Sequence, residues 1–284
     1  RPGAAGSSAE AQEQLEATLR PARKKLLAAR EQRVKPQRDE NILTSWNALA
    51  VSAFLDAYQT FGTPWYLSSA EQALTFLIDY AIADGRVSRT VAGGSGRIAG
   101  YLDDYAYLAA ALLDAFETTS HGWYLEQAQV VADGMLTHFW DESLGGFFFT
   151  AKDHELLIHR MKSGTDSAMP SGNAVAVQVL IRLFSLAGER KYYDRAEQTL
   201  RVFHQLMDQN AYGASGLLCG LDLALSKPKE VVIVGARGNP QTESLLATLH
   251  QRYVPNKILL VIDETRRGKE GELPLAAGKV SVNG

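Results

Sequence analysis

Between Ser45 and Leu225 apolar residues return every three or four positions, in stretches separated by glycine, proline and short polar runs. That rhythm predicts amphipathic helices joined by tight turns. From Ser45 to Phe61 one stripe holds Trp46, Leu49, Ala50, Ala53, Phe54, Ala57, Tyr58 and Phe61. The connection "FGTPWY" puts Pro64 at the first position of a partner helix reaching Ala83, where a missing N–H costs nothing. A second pair is predicted over Leu102 to Thr119 and Trp123 to Trp140, with Leu102, Tyr105, Leu108, Ala109, Leu112, Leu113 and Phe116 on its inner stripe. A third covers Ser171 to Ala187 and Lys191 to Gln209, and a shorter helix follows from about Ala214 to Leu225.

The first helices of these pairs start near 45, 102 and 171, so one helical hairpin recurs every 57 to 69 residues. Such units cannot bury their apolar faces alone and must stack, as an open solenoid or as a closed toroid of inner and outer helices. The first members are rich in small residues ("NALAVSAF", "AYLAAALLDA", "GNAVAVQVL") and the second members carry more charge. Small residues suit crowding around an inner ring, which favours the toroid.

The remaining segments break the rhythm. "RPGAAGSSAEAQ" (1–12) reads as a disordered linker. Residues 13–33 carry helix formers, with Pro21 as kink or start, until "VKPQRDE" ends the helix. "DESLGGFFFTAKDHELLIHR" reads as a β-hairpin from its turn glycines and alternating apolars. "KEVVIVGARGNPQTESLLATLHQRYVPNKILLVID" reads as strand, loop, helix, strand, a small βαβ unit with buried strands. The expected organisation is mainly α: linker 1–12, a helical-hairpin toroid portion 13–226, and a small α/β unit with tail, 227–284.

Composition removes several function classes. The chain has 284 residues, 46% of them hydrophobic, and a formal net charge of -3, which gives no electrostatic case for nucleic acid or an anionic membrane surface. No apolar run is long enough to span a bilayer. A single cysteine, Cys219, excludes an internal disulfide framework and reads as a buried small hydrophobe in a reducing, cytoplasmic setting. No signal-peptide pattern follows Arg1, and "GKVSVNG" is an unusual end for a fold, so a fragment of a longer protein is expected.

In a toroid every inner helix opens at the same end of the ring, so its first residues face one funnel. Here those residues are Thr44-Ser45-Trp46-Asn47, Tyr101-Leu102-Asp103-Asp104-Tyr105 and Pro170-Ser171-Gly172-Asn173. Carboxylates, amides, hydroxyls and aromatic rings together form the inventory of a sugar site: rings stack on apolar sugar faces, and carboxylates and amides bind vicinal hydroxyls. The same residue types also serve as helix N-caps, and Asp complements the helix dipole. Glycoside hydrolysis needs two carboxyls. Asp103 and Asp104 are adjacent at one mouth, about 100° apart around the helix, so a second participant is sought in Asp166 of "KSGTDSAMPSGN". The candidate substrate-binding set is Trp46, Asn47, Tyr105, Ser171 and Asn173, with Phe148 of "GGFFFT" as an aromatic lip. "GGSG" (Gly93 to Gly96) is a weak phosphate-cradle signal, and "VGARGNPQ" has the layout of an anion-binding loop without its glycine pattern. The six histidines show no metal spacing and none is placed at a mouth, so no metal and no cofactor are expected.

"DENILTSWNALAVSAF", "GYLDDYAYLAAALLDAFE", "WDESLGGFFFT", "KSGTDSAMPSGNAVAVQVLIRL" and "KEVVIVG…YVPNKILLVID", in that order, resemble the spermatogenesis-associated protein 20 family of thioredoxin-domain-containing DUF255 proteins. The resemblance runs from about residue 13 to 263. It implies a partial six-hairpin (α/α)6 toroid similar to glycosidases and N-acylglucosamine 2-epimerase, closed by a small α/β piece and normally preceded by a thioredoxin-like half that would be its partner. It implies a sugar ligand at Trp46, Asn47, Asp103, Asp104, Tyr105, Pro170, Ser171 and Asn173, or a non-catalytic scaffold for the thioredoxin-like half. Two positions depart from the pattern: Ala48 replaces a glycine, and Met169 replaces an acidic residue beside the third mouth.

Overall fold

A computed structural model describes residues 9–155, 158–226, 228–263 and 273–280. Compactness divides the chain after Glu40. The first unit is built on α1 (Ala9–Glu31), which contains Pro21. It begins at Ala9, so residues 9–12, read as linker, are helical.

The second unit is the hairpin array. Its helices are α2 (Thr44–Phe61) and α3 (Pro64–Ala81), α4 (Leu102–Thr119) and α5 (Gly122–Phe139), then α6 (Gly172–Ala187) and α7 (Arg190–Val202). The chain turns at Phe203 into α8 (His204–Gln209) before α9 (Ser215–Leu225). Helices α2, α4, α6 and α9 pack side by side in that order, and α3, α5 and α7 pack outside them. Each first helix ends in a left-handed residue, Gly62, Ser120 or Gly188, whose N–H returns to a carbonyl of the last turn.

Burial follows position in the array. α4 and α6, flanked on both sides, are buried nearly all round. Outer helix α5 buries one stripe, Ala128, Val131, Ala132, Met135 and Phe139. α2 has an inner neighbour on one side, and it buries Ala48, Val51 and Leu55. The stripe expected to be its core face is different: Trp46, Ala50, Ala53 and Phe61 are exposed.

Among the described residues of 141–160, where a hairpin was expected, no strand pair forms; Trp140 and Phe147 form an isolated bridge, and 156–157 lie outside the described residues. The chain there winds round Asp141, whose carboxylate accepts from Ser143 N (2.9 Å), Ser143 Oγ (2.6 Å) and Lys162 Nζ (2.6 Å). Against the cost of burial, the lysine and these local donors hold Asp141 well below the usual carboxylate range. A hairpin forms instead from the glycine-rich segment: β3 (Arg86–Ala92) and β4 (Ser95–Ala99) turn through Gly93 and Gly94, both at positive φ. β1 (Ile42–Leu43) and β2 (Ile82–Ala83) add to β3.

The C-terminal α/β unit consists of β5 (Lys229–Val234), α10 (Pro240–His250) and β6 (Lys257–Ile262), with the strands parallel. Side chains on β6 alternate: Ile258, Leu260 and Ile262 join the core of the helical array, whereas Leu259 and Val261 pack with Ile233 and Leu246. The array and the α/β unit therefore share one core across residue 226. Cys219, expected to be buried, is exposed.

Candidate functional site

The first turns of the inner helices are tied together by carboxylates. Asp104 is fully buried in the first turn of α4. Its Oδ2 accepts the Tyr101 N–H (2.9 Å) ahead of its own helix, and its Oδ1 accepts the Ser45 N–H (3.1 Å) at the start of α2. Arg89 on β3 lies 3.7 Å from Oδ2. Burial raises the Asp104 pKa, while the Tyr101, Ser45 and Arg89 donors oppose that rise.

Asp103 turns to the other neighbour, its Oδ1 lying against Gly172 at the start of α6, whose N–H favours the ionised carboxyl. A Cβ at position 172 would collide with the Asp103 carboxylate and with Leu102, so this close approach needs glycine. Asp166, in the loop before α6, repeats the device: Oδ1 accepts Ser171 N–H (2.8 Å), while Oδ2 accepts Gly216 N–H (2.6 Å) and the Ser215 hydroxyl (3.0 Å) of α9. The mouths of α2, α4, α6 and α9 are thus joined in sequence, each carboxylate drawing on helix N-terminal dipoles.

Between the mouths of α4 and α6 lies a cleft of about 260 Å³. Leu102, Phe149, Met161, Met169 and Pro170 give it apolar walls, and Ser163, Thr165 and Ser167 line it from alternate positions of one loop. Asp103 is the charged residue of this lining. Burial, then the neighbouring Asp104 charge, raise the Asp103 pKa to about 6, against the pull of Arg89 and the Gly172 N–H. Phe149 stacks on Tyr101 (centroids 4.7 Å apart, planes 8°), which also contacts the Arg89 guanidinium (4.9 Å) and the His154 ring (5.2 Å).

The other sequence candidates have fixed places. Trp46 is 59% exposed and lies outside the cleft lining. Asn47 Nδ2 donates to Leu43 O (2.8 Å), the N-cap of its own helix. Tyr105 is in the core, its hydroxyl accepting Val87 N–H (3.0 Å) and its ring edge-on to Phe139. Ser171 lines the cleft and caps α6 through Ala174 N–H (3.1 Å). Asn173 also borders the cleft, but its amide bonds Phe147 N–H (2.8 Å), Phe147 O and Ser163 O (both 2.9 Å), fastening two loops to α6. Phe148 lies under Arg160 (4.0 Å) and Lys162 (4.8 Å), outside the lining, so the cleft aromatic is its neighbour Phe149. His154, not placed at a mouth by the sequence, reaches one through Tyr101. Among the described residues no His, Cys, Asp or Glu group could hold a metal ion, and no helix is long and apolar enough to cross a membrane.

No family model matches the chain. Spermatogenesis-associated protein 20 from Rattus norvegicus is 31% identical over 264 residues, which is 88% of this chain. Most of the chain is homologous to part of spermatogenesis-associated protein 20. It spans about a third (33%) of the length of that rat relative. Two solved structures share its fold. A glycoside hydrolase family 76 α-mannanase from Bacteroides thetaiotaomicron matches with a TM-score of 0.53 at 14% identity, over 77% of this chain and 58% of that one. A sugar epimerase from a ruminal bacterium matches with a TM-score of 0.53 at 14% identity, over 76% and 60%. At these identities the likeness is one of fold: a partial (α/α)6-toroid array with a small α/β unit.

Proposed function

We propose that this chain binds a carbohydrate in the cleft between the mouths of α4 and α6, with Asp103 as its acidic group. The observation that carries the reading is that Asp103 faces this cleft, whereas Asp104 and Asp166 are taken up in holding helix starts together. A sugar offers an apolar C–H face to Phe149 and the two methionines, and hydroxyls to Ser163, Thr165 and Asp103. The structural neighbours named for sugar chemistry support the same class of ligand.

Hydrolysis in the manner of a glycosidase would need a second carboxyl. With Asp104 and Asp166 engaged, this reading puts binding ahead of turnover and makes Asp103 the proton donor of any turnover. The alternative, a ligand-binding or scaffold module for a thioredoxin-like half, draws on the family resemblance and on the exposed apolar stripe of α2. The exposed thiol of Cys219 fits a reducing, cytoplasmic setting.

Calorimetric titration with glucose, mannose and cellobiose tests the proposal. Phe149→Ala is expected to weaken binding about tenfold through loss of ring stacking, and Asp103→Asn by a few-fold. Absence of binding by all three sugars would overturn the carbohydrate reading and leave the scaffold role, to be checked by capture with the remaining two thirds of a full-length relative.

A further inference from the structure

We propose that the cleft selects a sugar carrying a positively charged amino group over its neutral and anionic counterparts. The inference rests on the carbohydrate reading above and concerns the charge of the ligand. Every other lining residue is neutral: three hydroxyl residues on the 163–167 loop, Ser171, Asn173, Gly172 and apolar side chains. The cations nearby are committed elsewhere. Lys162 donates to Asp141 and to Gly145 O (both 2.6 Å). Arg160 donates to Thr150 O (2.5 Å) and lies over Phe148. Arg89 stands beside Asp104 and over Tyr101. A phosphate or carboxylate on the ligand would meet Asp103 with none of these turned toward it.

An ammonium meets the opposite situation. Among the described residues the Gly172 N–H is the backbone donor that favours the ionised Asp103, and the carboxylate borders the cleft. An N–H from an ammonium to that carboxylate is a charge-assisted hydrogen bond, about twice as strong as a neutral one. The apolar walls weaken screening around it. The charged and titratable groups facing Asp103 are Asp104 and Tyr107 on α4 and Arg89 on β3; α6 presents only the Gly172 N–H. Tyr107 donates its hydroxyl proton to Pro170 O and its phenol pKa is raised by burial and then by Asp103, so it stays neutral. Burial and the Asp104 charge make the ionised Asp103 costly, and a ligand cation relieves both penalties. The preference therefore belongs to the ionised carboxyl and fades as pH falls below about 6.

The experiment is calorimetric titration of the whole chain at pH 7 with glucosamine, glucose and glucuronate, repeated for Asp103→Asn and for the wild type at pH 5. Glucosamine is expected to bind at least about tenfold tighter than glucose, as a charged partner replaces a neutral one, and glucuronate more weakly than glucose. Both Asp103→Asn and pH 5 should bring glucosamine down to the level of glucose. The pH arm needs no variant and stands if Asp103→Asn folds poorly. Glucose binding with no advantage for glucosamine, or an advantage that survives in Asp103→Asn, overturns this inference and leaves the carbohydrate reading intact. If none of the three sugars binds, the carbohydrate reading fails and this inference with it.

Discussion

Helix α4 carries carboxylates at both ends, and the two ends neutralise them differently. At its tail, Asp114 and Glu117 converge on Arg182 of α6, whose side chain is 17% exposed: the guanidinium lies 2.8 Å from Asp114 Oδ1 and 2.7 Å from Glu117 Oε1. Glu117 Oε2 accepts the Leu259 N–H of β6 (3.1 Å), and Asp114 Oδ2 accepts from Ser52 Oγ (2.6 Å). Burial alone would lower the Arg182 pKa, but the two carboxylates overcome that and raise it. At the mouth, Asp103, Asp104 and Asp166 are stabilised chiefly by N–H groups at helix starts. At the tail each carboxylate is taken up by the guanidinium and one further donor, whereas at the mouth Asp103 borders the open cleft. The tail is a structural lock and the mouth keeps a usable acid.

Four substitutions probe this contrast. Arg182→Met would leave buried Glu117 and half-buried Asp114 without their cation and should cost about 3–5 kcal/mol in urea unfolding; a loss near zero would remove the distinction between the ends. Asp166→Ala frees the starts of α6 and α9 together and should cost about 2 kcal/mol, one cap for each helix, again read by urea unfolding. Asp103→Asn tests the sign of the pH dependence. Because the folded pKa of about 6 lies above the unfolded value, the neutral carboxyl favours the fold at low pH and this contribution is lost as pH rises through 6. The wild type should therefore lose roughly 1–2 kcal/mol relative to Asp103→Asn between pH 4 and 7, allowing for partial exposure. The smallest effect is expected at the tail of α4, where Ser120 sits at φ 61 with its hydroxyl unpaired. Ser120→Gly should raise stability by up to about 1 kcal/mol in thermal unfolding.

The helical pairs were readable because the apolar period, the glycine ends at Gly62 and Gly188, and the proline start at Pro64 agree with one another. The buried strand of the α/β unit was readable from the unbroken run Ile258 to Ile262. The orientation of α2 was not, because this helix is apolar or small on two faces. Its neighbours then decide which face is core: Val51 and Leu55 are buried, while Trp46 and Phe61 face outward. The turn glycines alone point to a hairpin at Gly145 and Gly146, whereas the strands pair around Gly93 and Gly94. Gly145 and Gly146 also take positive φ, but the Asp141 side chain gathers that loop before strands can pair, whereas Gly93 and Gly94 sit between alternating residues that do pair. At the mouths, sequence located all three carboxylates. It did not reveal that Asp104 and Asp166 reach across to neighbouring helices, nor that Phe149 rather than Phe148 turns to the cleft, since both depend on side-chain direction in the assembled array.

Carboxyl-carbon NMR of Asp103 and Asp104, titrated with and without saturating sugar, tests in one experiment whether Asp103 is the acid of the cleft. Asp103 is expected to titrate near pH 6, with a midpoint that sugar moves while that of Asp104 stays in place. An Asp103 midpoint indifferent to sugar, with Asp104 responding instead, would contradict it.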